Sequence, residues 1–201
     1  RQIDINLGCP FPMIAGKHKG AGMLLYPAQV AEVLAPIAED PEIQFSLKMR
    51  LGWENASECM VLVELLNALR LSRIALHART GKQQYKGHPD LEAFQGFYEL
   101  CQHPLYYNGG IESLSDIRQI LIRFPLLKGV FIGRGLLSSP LLAKEFKGNE
   151  TFLPEQRMSI YFAFHEELFS AYSQVLQGET QLLVKMKTLW EYFLPETDRK
   201  L

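Results

Sequence analysis

Cys9 lies between Gly8 and Pro10, on a turn at the end of a short β-rich run. A thiol on an exposed strand-end turn can act as a nucleophile or as a proton donor. Cys59 and Cys101 fall within helical patterns, where a cysteine packs as a small hydrophobic side chain. Its position makes Cys9 the candidate for chemistry, with a packing role as the open alternative.

Two pairs of polar residues follow the period of a β-strand. Lys48 and Arg50 are two residues apart, as are His77 and Arg79, so each pair lies on one face of its strand. A lysine at a barrel mouth can stabilise negative charge on a cofactor or form a Schiff base, and a histidine can exchange protons near neutral pH. The alternatives are a strand-end lysine that reaches solvent and a structural histidine held by hydrogen bonds.

Two glycine turns follow the last two strand-like segments and precede helical patterns. They are Asn108-Gly109-Gly110 and Gly133-Arg134-Gly135. Backbone N–H groups at such turns bind phosphate, and an arginine adds a charge-assisted clamp. Either turn alone is explained by a tight connection between a strand and a helix. The two together, with Arg134 in the second, favour a phosphate site.

Short β-rich runs alternate with helical patterns over the first 140 residues, which is typical of a parallel sheet wrapped in helices. The predicted strands are 3–7, 45–51, 74–78, 105–108 and 129–132. Each ends in a polar or glycine-rich turn, and the chemistry of parallel α/β folds collects at the carboxyl ends of strands. This holds for a (β/α)8 barrel and for a doubly wound sheet, so the pattern does not choose between them.

Capping residues mark the predicted helices. Asp90 is a candidate N-cap, and Ser113 with Asp116 forms a capping box. The helix after Pro27 should end or kink near Pro36. From about residue 154 the strand pattern stops, and two helical faces follow with a break at Gly178.

The composition restricts the partners and the compartment. With 21 Lys and Arg against 22 Asp and Glu, an RNA partner would require a local basic patch. Two short basic loops, 17–19 and the pair Lys82 and Lys86, could contact a polyanion or lie solvated. Three cysteines without a CxxC pair fit a reducing, cytoplasmic compartment and indicate neither a disulfide scaffold nor a metal site.

Five segments, in this order, resemble the tRNA-dihydrouridine synthase family. They are 4–10 (DINLGCP) with 19–25 (KGAGMLL), 48–53 (KMRLGW), 77–80 (HART) with Gln83, Tyr85 and Gly87, 108–111 (NGGI), and 132–135 (IGRG). Their order and spacing agree with the family over roughly residues 1–140. The two trailing helical patterns agree with its C-terminal tRNA-binding domain.

The resemblance implies an α/β fold, a (β/α)8 TIM barrel that begins here at its fourth strand. Residues 1–147 would form a partial FMN-binding catalytic domain with strands four to eight, and 148–201 a small all-α tRNA-binding domain. The first three βα units, with a Pro-Met segment and a glutamine that contact the flavin in the family, are not in this chain. We therefore expect the natural gene product to extend further at its N-terminus.

The resemblance also implies a reaction, in which NADPH reduces FMN and the flavin delivers a hydride to a D-loop uridine in tRNA. Cys9 would be the general acid, Lys48 and His77 would contact the flavin, and Asn6 and Arg79 would contact the uridine. The residues implied for the flavin phosphate are Asn108, Gly109, Gly110, Gly133 and Arg134.

Two other functions compete with this interpretation. Another FMN-dependent barrel oxidoreductase, acting on a small molecule, would share the flavin and phosphate turns but would not need the helical segment after residue 154. A barrel remnant that binds RNA or a partner without flavin would lack the redox chemistry. Flavin content separates the last alternative from the other two, because a remnant would purify colourless.

Overall fold

The computed structural model describes residues 1–38 and 42–193, and within these ranges five strands form one parallel sheet. The strands are β1 Gln2–Leu7, β2 Gln44–Gly52, β3 Leu71–Thr80, β4 Leu105–Asn108 and β5 Gly129–Phe131. All five predicted strands are confirmed, with bounds that differ by up to three residues. The end of the predicted helical segment, 194–201, lies outside the described residues.

The strands are hydrogen-bonded in the order in which they occur in the chain, β1-β2-β3-β4-β5. A doubly wound sheet reverses its strand order at a switch point, whereas a (β/α)8 barrel adds each strand beside the previous one. The order thus confirms the predicted α/β class and has the sequential pattern of barrel strands.

Helices connect the strands and continue after them. Their bounds are α1 Pro12–Ala15, α2 Pro27–Leu34, α3 Glu58–Asn67, α4 Leu91–Leu100, α5 Leu114–Arg123, α6 Arg134–Ser138, α7 Leu142–Gly148, α8 Pro154–Val175 and α9 Glu179–Trp190. Two 3-10 helices span Gly20–Leu25 and Ala35–Ala38. As predicted, α2 ends before Pro36, because proline lacks the N–H that the next helical bond needs. Gly178, at φ 93°, separates α8 from α9.

The predicted helix caps are present. Asp90 accepts a hydrogen bond from the N–H of Ala93 at 2.9 Å, at the start of α4. At α5 the hydroxyl of Ser113 accepts from the N–H of Asp116 at 3.1 Å, and the Asp116 carboxylate accepts from the N–H of Ser113 at 2.8 Å. These bonds satisfy N–H groups that have no partner within the helix.

The sheet is amphipathic, because side chains alternate between its faces. One face is apolar and buried, with Leu47, Met49, Ile74, Leu76 and Tyr107 among its residues. The other face is polar and mostly cationic. The β-sheet register places on it Asp4, Asn6, Ser46, Lys48, Arg50, Arg73, His77, Tyr106 and Asn108, and strand alternation adds Arg79. We call this surface the polar face.

The chain divides into two compact units. The first comprises Arg1–Gly110 and Ile117–Phe131, and the second comprises Ile111–Asp116 with the chain from Ile132 onward. The second unit has its own apolar core, formed by Leu141, Tyr161, Met186, Leu189 and Phe193. It takes in α6 and α7, ahead of the boundary predicted at residues 147 and 148. The assignment of 1–147 and 148–201 as functional domains stays a prediction.

An ion pair between a buried carboxylate and a half-buried guanidinium joins α7 to α8 in the second unit. The Glu145 side chain is buried and accepts a hydrogen bond from the Arg157 guanidinium. Arg157 also donates to the hydroxyl of Tyr161 at 3.4 Å, and that hydroxyl contacts the Ser139 hydroxyl at 3.0 Å. Removing one partner of a buried pair leaves an uncompensated charge.

We therefore expect Arg157→Met to lower the free energy of unfolding of this unit by roughly 3 kcal/mol. The measurement is urea denaturation followed by the fluorescence of Trp190, with Trp53 removed by a Trp53→Phe background substitution. The matched control is Lys144→Met, since Lys144 pairs with Glu150 at the surface and should change stability by less than about 1 kcal/mol. Equal effects of the two substitutions would contradict a structural role for the ion pair of Glu145 and Arg157.

Candidate active site

The turn after β1 presents Cys9 in a fixed backbone conformation. The Asn6 Oδ1 accepts a hydrogen bond from the N–H of Gly8 at 2.9 Å, and the Cys9 carbonyl accepts from the N–H of Ala21 at 2.9 Å. Gly20 has φ 55°, and a Cβ at this position would lie 2.7 Å from the Cys9 carbonyl oxygen. The 3-10 helix Gly20–Leu25 thus packs directly on the backbone of Cys9, whose side chain is half-buried and free of any disulfide.

Arg50 connects this turn to the end of β3. Its side chain is 1% exposed, and its Nε donates to the Gly8 carbonyl at 3.0 Å. Its Nη1 donates to the carbonyls of Thr80 at 2.8 Å and Gln84 at 2.7 Å. The guanidinium carbon lies 5.3 Å from the centre of the Tyr85 ring. The sequence analysis placed Arg50 on the face of Lys48 but gave it no role.

Electrostatics around Arg50 explain how a buried cation is tolerated. Burial lowers the pKa of Arg50, and the neighbouring Tyr85 works in the opposite direction. Carbonyl oxygens and an aromatic face replace the water that the guanidinium loses. Arg50 therefore holds the turn of Cys9 and the loop after β3 in one arrangement.

Lys48 stands beside Asn6 in the sheet register and points to the polar face. It is half-buried, and burial followed by the charge of Arg50 lowers its pKa from 10.5 to about 8. Within the part of the chain that the structure describes, its ammonium has no carboxylate within ion-pair distance. A desolvated cation without a counter-ion is the kind of group that binds an anionic or carbonyl-bearing ligand.

His77 and Arg79 are both buried on the polar face. The Arg79 Nη1 lies 3.3 Å from the His77 Nε2, and its Nη2 donates to the Gly87 carbonyl at 2.9 Å. A guanidinium can only donate, so Nε2 is the acceptor in this contact. Arg79 therefore contributes to the orientation of the His77 ring.

The turn after β4 places two glycines, which have no side chains, close to His77. Asn108 donates from Nδ2 to the Phe131 carbonyl at 2.7 Å, which ties β4 to β5. Gly109 and Gly110 have φ of 132° and 62°, and a Cβ on Gly109 would lie 3.0 Å from the His77 Cδ2. Side chains are excluded here both by the backbone conformation and by the space, so peptide N–H groups can approach a ligand.

The second predicted phosphate turn lies in the second compact unit. Gly133 precedes α6, is exposed, and has no atom within 4 Å of the position that a Cβ would take. Arg134 follows it and is half-buried. A Cβ on Gly135 would lie 2.2 Å from the Ile111 carbonyl oxygen, so this glycine is required for packing.

The structure thus brings most of the predicted residues together in the first unit. Asn6, Lys48, His77, Arg79 and Asn108 share the polar face, and the turns of Cys9 and of 109–110 lie at the carboxyl ends of their strands. Gly133 and Arg134 belong to the second unit.

Among residues 1–38 and 42–193 no three His, Cys, Asp or Glu side chains form a metal-binding cluster. No helix in those ranges has the length and apolar character needed to cross a bilayer.

Comparison with known proteins gives the family. The family model described as "Dihydrouridine synthase (Dus)" matches residues 1–196. The chain belongs to the dihydrouridine synthase family. The resemblance found in the sequence motifs is thereby confirmed.

Curated relatives agree with the family match. A probable tRNA-dihydrouridine synthase of Rhizobium leguminosarum bv. phaseoli is 32% identical over 139 residues, covering 69% of this chain and 44% of the relative. The corresponding protein of Aquifex aeolicus is 36% identical, with 72% and 46% covered. The tRNA-dihydrouridine synthase B of Vibrio vulnificus is 27% identical, with 76% and 48% covered. The chain spans about half the length of the curated relatives it matches.

The thiols of this chain should differ in reactivity. Burial raises the pKa of Cys59 to about 12 and also raises the pKa of Cys101. Since the thiolate is the reactive form, we expect iodoacetamide at pH 8 to modify Cys9 first, as measured by peptide mass spectrometry over time. Cys9→Ser should remove the fast phase, and a Cys101 that reacts as quickly as Cys9 would contradict this expectation.

Lys48 should destabilise the folded chain. Because its pKa falls in the folded state, the burial cost is fully present below pH 8, where Lys48 is charged whether folded or unfolded. This cost fades as pH rises from 8 to 10.5 and the folded chain holds the neutral amine. The free energy of unfolding of Lys48→Met should therefore exceed that of the parent chain at pH 7, and the excess should shrink by roughly 2 kcal/mol by about pH 9.5.

Urea denaturation followed by Trp53 fluorescence at both pH values, with Trp190 removed by a Trp190→Phe background substitution, measures this difference. Lys86→Met is the matched control, because the Lys86 side chain is exposed. An excess for Lys48→Met that is independent of pH would show that packing of the methionine, and not the charge of Lys48, is responsible.

Proposed function

We propose that this chain is the catalytic part of an FMN-dependent tRNA-dihydrouridine synthase, an oxidoreductase that reduces the 5,6 double bond of a D-loop uridine in tRNA with NADPH as the reductant. The observation that carries the proposal is the bond from Arg50 to Gly8, which fixes the Cys9 turn at the end of the polar face that bears Lys48 and His77. The names of the relatives support the substrate.

The residues present suit an anionic flavin nucleotide. The polar face is cationic, and its one acidic residue, Asp4, pairs with Arg73 at 3.0 Å. Lys48 and His77 would hold the flavin ring. Within the first unit, Asn108, Gly109 and Gly110 would hold the phosphate. The phosphate role of Gly133 and Arg134, which lie in the second unit, stays a prediction of the family resemblance. When bound and reduced, FMN supplies the hydride that reaches C6 of the uracil.

Cys9 would complete the reduction by donating its thiol proton to C5 of the uracil. Hydride addition at C6 breaks the 5,6 π bond and places negative charge on C5 and on the O4 carbonyl. The proton from Sγ then forms the second C–H bond, and the resulting thiolate recovers a proton from solvent. Cys9 must therefore be a thiol when it acts.

Asn6 and Arg79 are the residues expected to contact the uridine. The Oδ1 of Asn6 is engaged by the N–H of Gly8, so its Nδ2 remains to donate to a uracil carbonyl. The Nη1 and Nη2 of Arg79 contact His77 and the Gly87 carbonyl, which supports a second role for Arg79 in positioning His77 against the flavin ring.

The substrate must be extruded to reach this site. A uracil within a folded tRNA is stacked, and an enzyme acting on its 5,6 bond has to turn it out of the stack. We assign recognition of the tRNA body to the helical segment from residue 148, where Lys185 and Lys187 lie on α9. These lysines would contact tRNA phosphates and shape despite the net charge of −1 for the whole chain.

The test is mass spectrometry of dihydrouridine in tRNA from a strain that lacks the gene. Complementation with the full gene should restore dihydrouridine, and the Cys9→Ala gene should not, because loss of a general acid slows the step by a factor of about 100 to 10,000. Cys101→Ala is the matched control and should restore it. Unchanged dihydrouridine in the deletion strain, with no second synthase present, would remove the tRNA function in favour of a small-molecule flavin oxidoreductase.

A further inference from the structure

The loop that follows Cys9 holds large apolar side chains in solvent. We call residues 11–19 the Cys9 loop. Phe11 is 63% exposed, Met13 is 82% exposed and Ile14 is 38% exposed. Single exposed apolar residues are common, but several in succession beside a candidate catalytic residue indicate a contact surface.

The Cys9 loop is ordered by its own hydrogen bonds. The N–H groups of Lys17 and Lys19 donate to the Ile14 carbonyl, each at 3.2 Å, and that of His18 donates to the Ala15 carbonyl at 2.9 Å. The His18 ring stacks on Tyr26 with 4.1 Å between centroids. The exposed side chains are therefore presented from a pre-organised backbone, which lowers the entropy lost on binding.

Cations lie next to these apolar side chains. Lys17, His18 and Lys19 are exposed, and between Asp4 and Glu32 the sequence contains no acidic residue. This local positive charge contrasts with the net charge of −1 for the whole chain. A surface that covered another apolar protein segment would have no need for it, whereas RNA offers both stacking bases and phosphates.

We propose that the Cys9 loop binds the nucleotides that flank the reacting uridine. Phe11 and Met13 pack against the neighbouring bases, and Lys17 and Lys19 contact their phosphates. This inference rests on the proposed function, because it assumes that a uridine enters beside Cys9. Apolar side chains inserted at a vacated base step are a known means of keeping a nucleotide unstacked.

The test uses the 201-residue chain and a fluorescein-labelled RNA hairpin with unpaired uridines in its loop, with binding measured by fluorescence anisotropy over a range of salt concentrations. Phe11→Ser and Met13→Ser should each weaken binding roughly tenfold with an unchanged salt dependence, because stacking is lost and charge is not. Lys17→Gln with Lys19→Gln should instead reduce the slope of log affinity against log salt by about 1.

Matched controls come from the same compact unit. Ile122 is 81% exposed, close to the value for Met13, and Ile122→Ser should leave binding unchanged. Lys128→Gln controls for the loss of a surface lysine. Urea unfolding of each variant shows whether Phe11 and Met13 stabilise the fold, and a loss of stability in step with the loss of binding would overturn the proposal in favour of protein packing.

The two proposals fail in different ways. If the parent chain does not bind the hairpin, the RNA partner of the proposed function is lost, and the role of the Cys9 loop with it. If the parent chain binds and the Phe11→Ser and Met13→Ser variants bind equally well, only the inference about the Cys9 loop is overturned.

Discussion

The Arg50 guanidinium makes hydrogen bonds to three carbonyl oxygens, those of Gly8, Thr80 and Gln84, and the arrangement of the site depends on them. Hydrogen bonds to a charged donor are worth about 1.5–3 kcal/mol each, and leaving a buried guanidinium without them would cost more. The Cys9 turn and the loop after β3 therefore cannot shift independently without exposing an unsatisfied charge. One side chain that need not react with anything therefore holds both segments in place.

Burying cations on the polar face is unfavourable for the stability of the fold. A sheet face rich in cations is unfavourable to bury, and Lys48 keeps its charge at neutral pH only against the desolvation that lowers its pKa. Where an internal counter-ion exists, as for Arg73 with Asp4, the charge is paired at the amino ends of the strands. Lys48 and the glycine turn after β4 are left available at the carboxyl ends. The desolvated charge of Lys48 therefore lowers the stability of the ligand-free chain, and binding of an anionic ligand would restore that stability.

The second compact unit is built on different principles. Its core is formed by Tyr161 of α8 and by Met186 and Leu189 of α9, together with Leu141 and Phe193 outside these helices. The ion pair of Glu145 and Arg157 fixes how α7 meets α8, and the Tyr161 hydroxyl joins this network through Ser139. These contacts fix the packing of α7 and α8 within this unit.

The sequence by itself determined the strands, the caps at Asp90 and Ser113, the helix break at Gly178 and the family, because each depends on side chains close together in the chain. It also determined that Lys48 and Arg50 share a face, which the two-residue period fixes. The short helices α1 and α7 were missed, since a helix of one or two turns carries too few residues to show a period, whereas a helix after the turn at 133–135 was predicted and is α6. The joining of Arg50 to Gly8, 42 residues away in the chain, and to Thr80 was decided only by the tertiary structure. Such contacts depend on strand order and register, which no local pattern encodes, so the residue that holds the site together could be found only in the folded chain.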